Sequence, residues 1–153
     1  MIVYRLSRKK YKDELSGTGA SLHGQRWNSK GIEVIYTAQT RALANSEVAV
    51  HLPLGILPAD YFMVKIEIPD SIKIEELNKT DLPSNWDSIP FRPESQLVGD
   101  EFVNANEAAV LKVPSVVVKG ENNYIINPKH PDFKKIKILD SEPFPFDPRL
   151  FNN

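Results

Sequence analysis

The sequence predicts a single α+β domain, and three observations carry that expectation. Runs of β-branched, aromatic and alternating apolar residues recur along the chain and outnumber the helix-like segments. The helix-like segments are few and fall between the strands, which leaves a mixed α/β arrangement as the neighbouring alternative. Finally, 153 residues, 41% hydrophobic and 25% charged, match one domain with its own core.

Taken in order, "IVYRL" reads as a short strand. The following "SGTGASLHGQRWNSKG" carries Gly17, Gly19, Gly24 and Gly31, too many for the interior of an element, so a long loop is expected there. Long loops inside compact domains are often functional. "EVIYT" has the composition of a strand, and Thr40 is a suitable N-cap for a helix running to about His51, where "LPLG" stops it. "YFMVKIEIP" alternates as a strand of a half-buried sheet does, with Phe62, Val64, Ile66 and Ile68 on one face, and "SIKIEEL" is expected to continue or pair with it. From about Pro93, "PESQLVGDEFVNAN" is helix-like despite Gly99; "AAVLKVPSVVV", "NYIINP" and "KKIKILD" read as three more strands. Twelve prolines punctuate the chain, and the tail 141–153, "SEPFPFDPRLFNN", is expected to run extended over the surface. With no internal repeat or low-complexity segment, residues 1–153 are taken as one domain.

Composition narrows the function. Nineteen Lys and Arg against twenty Asp and Glu leave a net charge of -1, so there is no electrostatic footprint for nucleic acid or an anionic membrane. The absence of cysteine excludes a disulfide framework, a thiolate nucleophile and Cys-ligated zinc. The N-terminus lacks the longer apolar stretch of a secretory signal, and no window approaches the ~20 apolar residues of a membrane span. A cytoplasmic protein is expected.

One residue fits its surroundings poorly. On a helical wheel Glu47 sits between Leu43 and Val50 on one side and Ala44 and His51 on the other. A carboxylate held against apolar groups must be paired, protonated or used. The simplest reading is an i,i+4 pair with His51. Arg26, beside flexible glycines, has the fork geometry that grips a pyrophosphate, and Tyr36 at a strand end offers a flat face for a planar ring. Taken singly, Arg26 reads equally as a solvated charge, Tyr36 as a core aromatic, and Arg5, inside the first strand, as an edge charge or the partner of a buried anion. Ser115 follows a proline in an apolar strand, and Asn127 and His130 flank two prolines. A serine hydrolase is disfavoured because there is no G-x-S-x-G elbow, and the three histidines have no metal-ligand spacing. There is no Walker A loop, and "GTGASLHG" fails the dinucleotide fingerprint.

In order, "VYRL", "GQRWNSKG", "VIYTAQTRALANSE", "QLVGDEF", "LKVPSVVV" and "NYIINPKHPDF" resemble the RES domain, named for its arginine, glutamate and serine. The resemblance covers residues 3–133. It implies a fold similar to ADP-ribosyltransferases, a mixed and mostly antiparallel sheet with a few helices. It also implies the toxin of a two-gene toxin–antitoxin module that depletes NAD by hydrolysis or phosphorolysis of the nicotinamide–ribose bond. NAD is then the substrate, with no cofactor and no metal. The implied partner is an Xre-like helix-turn-helix antitoxin, the toxin being a homodimer or a hetero-oligomer with it. Carried onto this chain, the resemblance places Glu47, Arg26 and Tyr36 in the catalytic group and Arg5, Arg26, Tyr36 and Ser115 around the dinucleotide. The stretch around "NWDSIPFRPE" matches no part of the pattern. Two rival functions follow: an ADP-ribosyltransferase acting on a protein, and a non-catalytic module that only binds an antitoxin.

Overall fold

The computed structural model describes residues 1–152. Its framework is one seven-stranded sheet built from β1 (Ile2–Arg8), β2 (Ile35–Ala38), β3 (Tyr61–Glu67), β4 (Ile74–Glu76), β5 (Val110–Pro114), β6 (Asn122–Ile126) and β7 (Lys137–Pro143). The spatial order is β4-β5-β6-β2-β1-β3-β7. Only β4 and β5 run parallel. Three α-helices interrupt the strands: α1 (Thr18–His23), α2 (Arg41–Ala49) and α3 (Pro93–Ala105).

The sheet has a seam. β1 pairs with β3 over all seven residues from Ile2 to Arg8, yet it meets β2 in a single register pair, Tyr4 with Ala38. Two blocks of strands are thus joined at one point, and α2 follows β2 directly across that joint. Its start is set locally, since the Thr40 hydroxyl accepts from the Leu43 N–H at 3.0 Å, as an N-cap should. Its apolar stripe, Leu43 and Ala44, packs on Leu6, Ala38 and Met63 from both sides of the joint. Leu43 is fully buried, which is worth about 1.5–3 kcal/mol of transfer free energy. α3 covers the neighbouring part of the same face over Trp27, Leu111, Val113 and Ile125. The opposite face buries Val3, Ile35, Val64, Ile66, Val110 and Ile126.

Four expectations are corrected. β3 is buried on both faces, Met63 as fully as Val64 and Ile66, because it lies between β1 and β7 with apolar layers on either side. "SIKIEEL" does not pair with it; residues 74–76 leave for the far edge and join β5. The glycine-rich loop contains α1, since Gly17 and Gly24 sit at its two caps, where positive or irregular backbone angles end a helix, and only Gly19 lies inside. The proline-rich tail is not confined to the surface: β7 runs through Pro143, and Phe146 and Phe151 are buried beneath α2 with edge-to-face ring contacts. Prolines exclude an α-helix there but permit an edge strand and the short 3₁₀ turn at Pro148–Phe151.

Candidate active site

The segment after α1 is folded tightly on itself. Gly24 takes φ 70°, and the chain reverses so that Gln25 and Asn28 exchange backbone hydrogen bonds at 3.0 and 3.3 Å. This puts Arg26 and Trp27 at the tip. Asn28, with no exposed surface, holds the turn: its amide donates to the Ala20 and Ile32 carbonyls at 2.9 and 3.0 Å. α3 clamps the outside. The Ser29 N–H and hydroxyl both donate to Asp100, Gln96 donates to the Asn28 carbonyl, and Gly99 lies so close that an added Cβ would stand 1.6 Å from the Trp27 carbonyl oxygen. Gly99 in a helix is therefore explained by backbone contact with the loop rather than by weak helix propensity.

Tyr36 reaches this loop from β2. Its hydroxyl accepts from the Trp27 N–H at 3.0 Å and donates to the Asn28 side-chain oxygen at 2.6 Å. Burial pushes its pKa well up, so it remains a neutral phenol. Arg26 is half-buried and uses one guanidinium nitrogen to donate to the Trp86 and Ser88 carbonyls at 2.8 and 2.9 Å. Burial lowers its pKa, opposed by the charges of Glu47 and Asp87, but a guanidinium stays protonated. The stretch around "NWDSIPFRPE" thus acquires a position, fastened over the site by Arg26.

Glu47, in the second turn of α2, looks toward the β5–β6 connection. The Ser115 hydroxyl donates to the Glu47 Oε1 at 3.3 Å, while Ser115 Oγ accepts from the Val117 and Val118 N–H groups at 3.0 and 3.1 Å. Ser115 therefore builds a turn and orients a carboxylate; with two amides on its oxygen it is poorly placed as a nucleophile. Burial holds the Glu47 carboxyl above its ordinary value, against the lowering pull of hydrogen bonds from Asn123 and Ser115 and of the His51 and Arg26 charges. His51 thus acts on Glu47 only through its charge; Ser115 is the hydrogen-bond partner inside the fold, with the Asn123 amide beside it. Asn123 also donates to the Thr37 carbonyl at 3.2 Å, which fixes its amide beside Glu47. No sequence motif had marked Asn123; the available signal was its register opposite Ala38, at the strand end from which α2 departs.

Four of the five expected residues, Arg26, Tyr36, Glu47 and Ser115, are brought together. Arg5 stands apart from them. It lies in register with Val64 and shares the Val3 face of β1, whereas Tyr4, paired with Ala38, faces α2. Its charged neighbour is Glu14, burial lowers its pKa, and its Nη1 is buried with no hydrogen-bond partner among the described residues. Asn127 and His130 serve local structure: Asn127 bonds Asn106 and the Lys129 N–H, and His130 caps a 3₁₀ turn through the Asp132 N–H. Among the described residues no group of three or more His, Asp or Glu side chains is placed to hold a metal ion.

A cleft of about 170 Å³ opens beside Ser115, lined by Lys79, Trp86, Asp87, Ser115, Val116 and Lys119. A larger one, about 270 Å³, lies between the end of α3 and residues 32–33, away from every residue of this group. The smaller cleft is the one next to the chemistry.

Similarity to known proteins extends over nearly the whole chain. The RES domain family model matches residues 2–147. A protein of Sphingobium sp. (strain YBL2) named "Prs ADP-ribosylating toxin" is 41% identical over 140 residues, covering 90% of this chain and 87% of that one. "Toxin Res" of Photorhabdus laumondii subsp. laumondii is 39% identical over 155 residues, covering 98% and 97%. Among solved structures, the M. tuberculosis MbcT–MbcA toxin–antitoxin complex has a chain that superposes with a TM-score of 0.76 at 19% identity, over 98% of this chain and 86% of that one, which establishes the likeness of fold.

Proposed function

We propose, for a chain that belongs to the RES domain family, that it is the toxin of a toxin–antitoxin module and acts by cleaving the bond between nicotinamide and ribose in NAD. The observation that carries this reading is the Glu47 carboxylate, partly desolvated, held by Ser115 and neighboured by the Asn123 amide within the field of Arg26. When the C–N bond breaks, its electron pair leaves with nicotinamide as a neutral base and the ribosyl carbon becomes cationic. A fixed carboxylate stabilises that cation and orients the incoming oxygen, whose proton departs as the new C–O bond forms. Ser115 costs no reorganisation at that moment, since its bond to Glu47 already exists.

Arg26 orders the Trp86–Ser88 strap and adds positive charge where the dinucleotide's phosphates approach. Tyr36, its hydroxyl already engaged, offers only its ring toward the nicotinamide or ribose. Arg5, on the other face of the sheet with Glu14 as its charged neighbour, takes no part in this scheme. The protein acts in the cytoplasm, is opposed by an Xre-like antitoxin segment entering the same cleft, and uses no cofactor.

Glu47→Gln keeps the hydrogen-bonding shape and removes the charge, so NAD consumption is expected to fall by roughly 100-fold to 1000-fold. Undiminished turnover would return Glu47 to a structural role. A second reading is transfer of ADP-ribose to another acceptor, such as a protein, in keeping with the name "Prs ADP-ribosylating toxin" of the Sphingobium relative. Labelled NAD, followed with and without inorganic phosphate, separates the two: label in free ADP-ribose or its phosphorylated form supports the first, label in protein the second. Expression without the antitoxin gene should arrest growth, and harmless expression would favour a non-catalytic binding module.

A further inference from the structure

We infer that the cleft between Lys79 and Lys119 is the seat of the substrate's pyrophosphate, with the Trp86 indole as the flat wall for an adjoining planar ring. This deepens the NAD-cleaving reading and rests on it for the identity of the substrate. The two arginines are engaged elsewhere. Arg26 gives one nitrogen to two strap carbonyls, and Arg5 shares the Val3 face of β1 with Glu14 as its charged neighbour. The cations that line the cleft next to Ser115 are instead Lys79 and Lys119. Among the described residues neither forms an ion pair.

Both lysines are carried on defined backbone. Lys79 starts a 3₁₀ turn closed by a reciprocal Asn78–Asp81 capping box. Lys119 sits at the crest of the turn that Ser115 ties through Val117 and Val118, immediately before Gly120 at φ 91°. The turn that aims Glu47's partner therefore also presents an ammonium, linking the reacting end of the substrate to its anionic middle. Asp87 shares the rim and opposes an anion, but it faces the Arg26 charge, and two ammonium groups remain against one carboxylate. Trp86 has one face stacked near Trp27, ring centroids 6.3 Å apart, and lines the cleft as well. Pyrophosphate, two linked anionic groups, suits a pair of cations lining one small cleft.

The test is the double charge reversal Lys79→Glu/Lys119→Glu, with Lys79→Gln/Lys119→Gln as the milder partner; both side chains are exposed, so the fold should survive. KM for NAD is expected to rise roughly 30-fold in the reversed protein, several-fold in the neutral one, with a smaller change in kcat. The salt dependence of KM should weaken with the charge removed, which loss of a merely structural contact would not produce. Calorimetry with ADP-ribose, inorganic pyrophosphate, inorganic phosphate and nicotinamide riboside supplies an arm independent of turnover. Wild type should bind ADP-ribose and lose that affinity on reversal, while nicotinamide riboside, lacking the pyrophosphate, should be indifferent to it. Pyrophosphate should compete better than phosphate. If wild type turns over no NAD, the catalytic reading fails while ADP-ribose binding still judges the cleft. An unchanged KM and ADP-ribose affinity in the folded reversed protein, or no ADP-ribose binding by wild type, overturns the inference.

Discussion

Two connections flank the β2–α2 unit, and they are built in opposite ways. Residues 24–29, ahead of β2, are fastened by the Gln25–Asn28 exchange, by the buried Asn28 amide, by Tyr36 below and by three residues of α3 above. Residues 50–58, after α2, expose Val50, Leu54, Ile56 and Leu57, and one hydrogen bond, Gly55 N–H to the Phe151 carbonyl, anchors their middle. Both are glycine- or proline-bearing connections, the first mostly polar and the second mostly apolar. The difference is in what each presents: the first holds a guanidinium at a fixed place beside a carboxylate, which rewards rigidity, whereas the second brings to the site only the charge of His51.

The contrast is broken most severely by Gly99→Ala. Its Cβ would overlap the Trp27 carbonyl, so α3 and the loop must separate, and a loss of roughly 3 kcal/mol or more is expected in denaturant unfolding, with loss of NAD turnover. Asn28→Ala follows. It strands two buried carbonyls and frees the Tyr36 hydroxyl, and should cost about 2–3 kcal/mol. If instead it unfolds no earlier than wild type, the loop is not held as described.

Glu47→Gln has a smaller effect on stability, and its sign depends on pH. The folded carboxyl is raised by burial, so its contribution to stability is fully present below the unfolded value and is lost as pH rises through the folded one. The Gln variant should therefore melt above wild type at neutral pH, with the advantage fading in acid. An advantage that grows in acid would contradict the burial argument. Smallest of all, Ile56→Ser in the exposed connection should stay within about 0.5 kcal/mol of wild type and leave NAD consumption unchanged.

How much of this was legible before folding varies by residue. Thr40 as an N-cap and α2 from Arg41 could be read directly, because a cap and an amphipathic stripe are local. Gly99 was tolerated in a helical pattern without a reason, since its neighbour is 72 positions away at Trp27. Trp86 and Ser88 went unassigned because they contribute backbone carbonyls, which no side-chain pattern reveals. Asn123 escaped for a related reason: an asparagine in a strand acquires a role only when pairing places it beside a carboxylate. Arg5 shows the converse, a residue marked by its oddness whose surroundings on the sheet differ from those of Arg26.

By itself the sequence determined the local elements and the residue types: the strands, the cap of α2, and a glutamate too polar for its helix face, all set by periods of two and 3.6 residues. Only the tertiary structure decided which of these meet. Joining the two strand blocks at Tyr4 and Ala38 and laying α2 across that joint brings Glu47 to Ser115, 68 positions later. Contacts at such separation arise from the order in which strands pair, and a one-dimensional pattern does not encode that order.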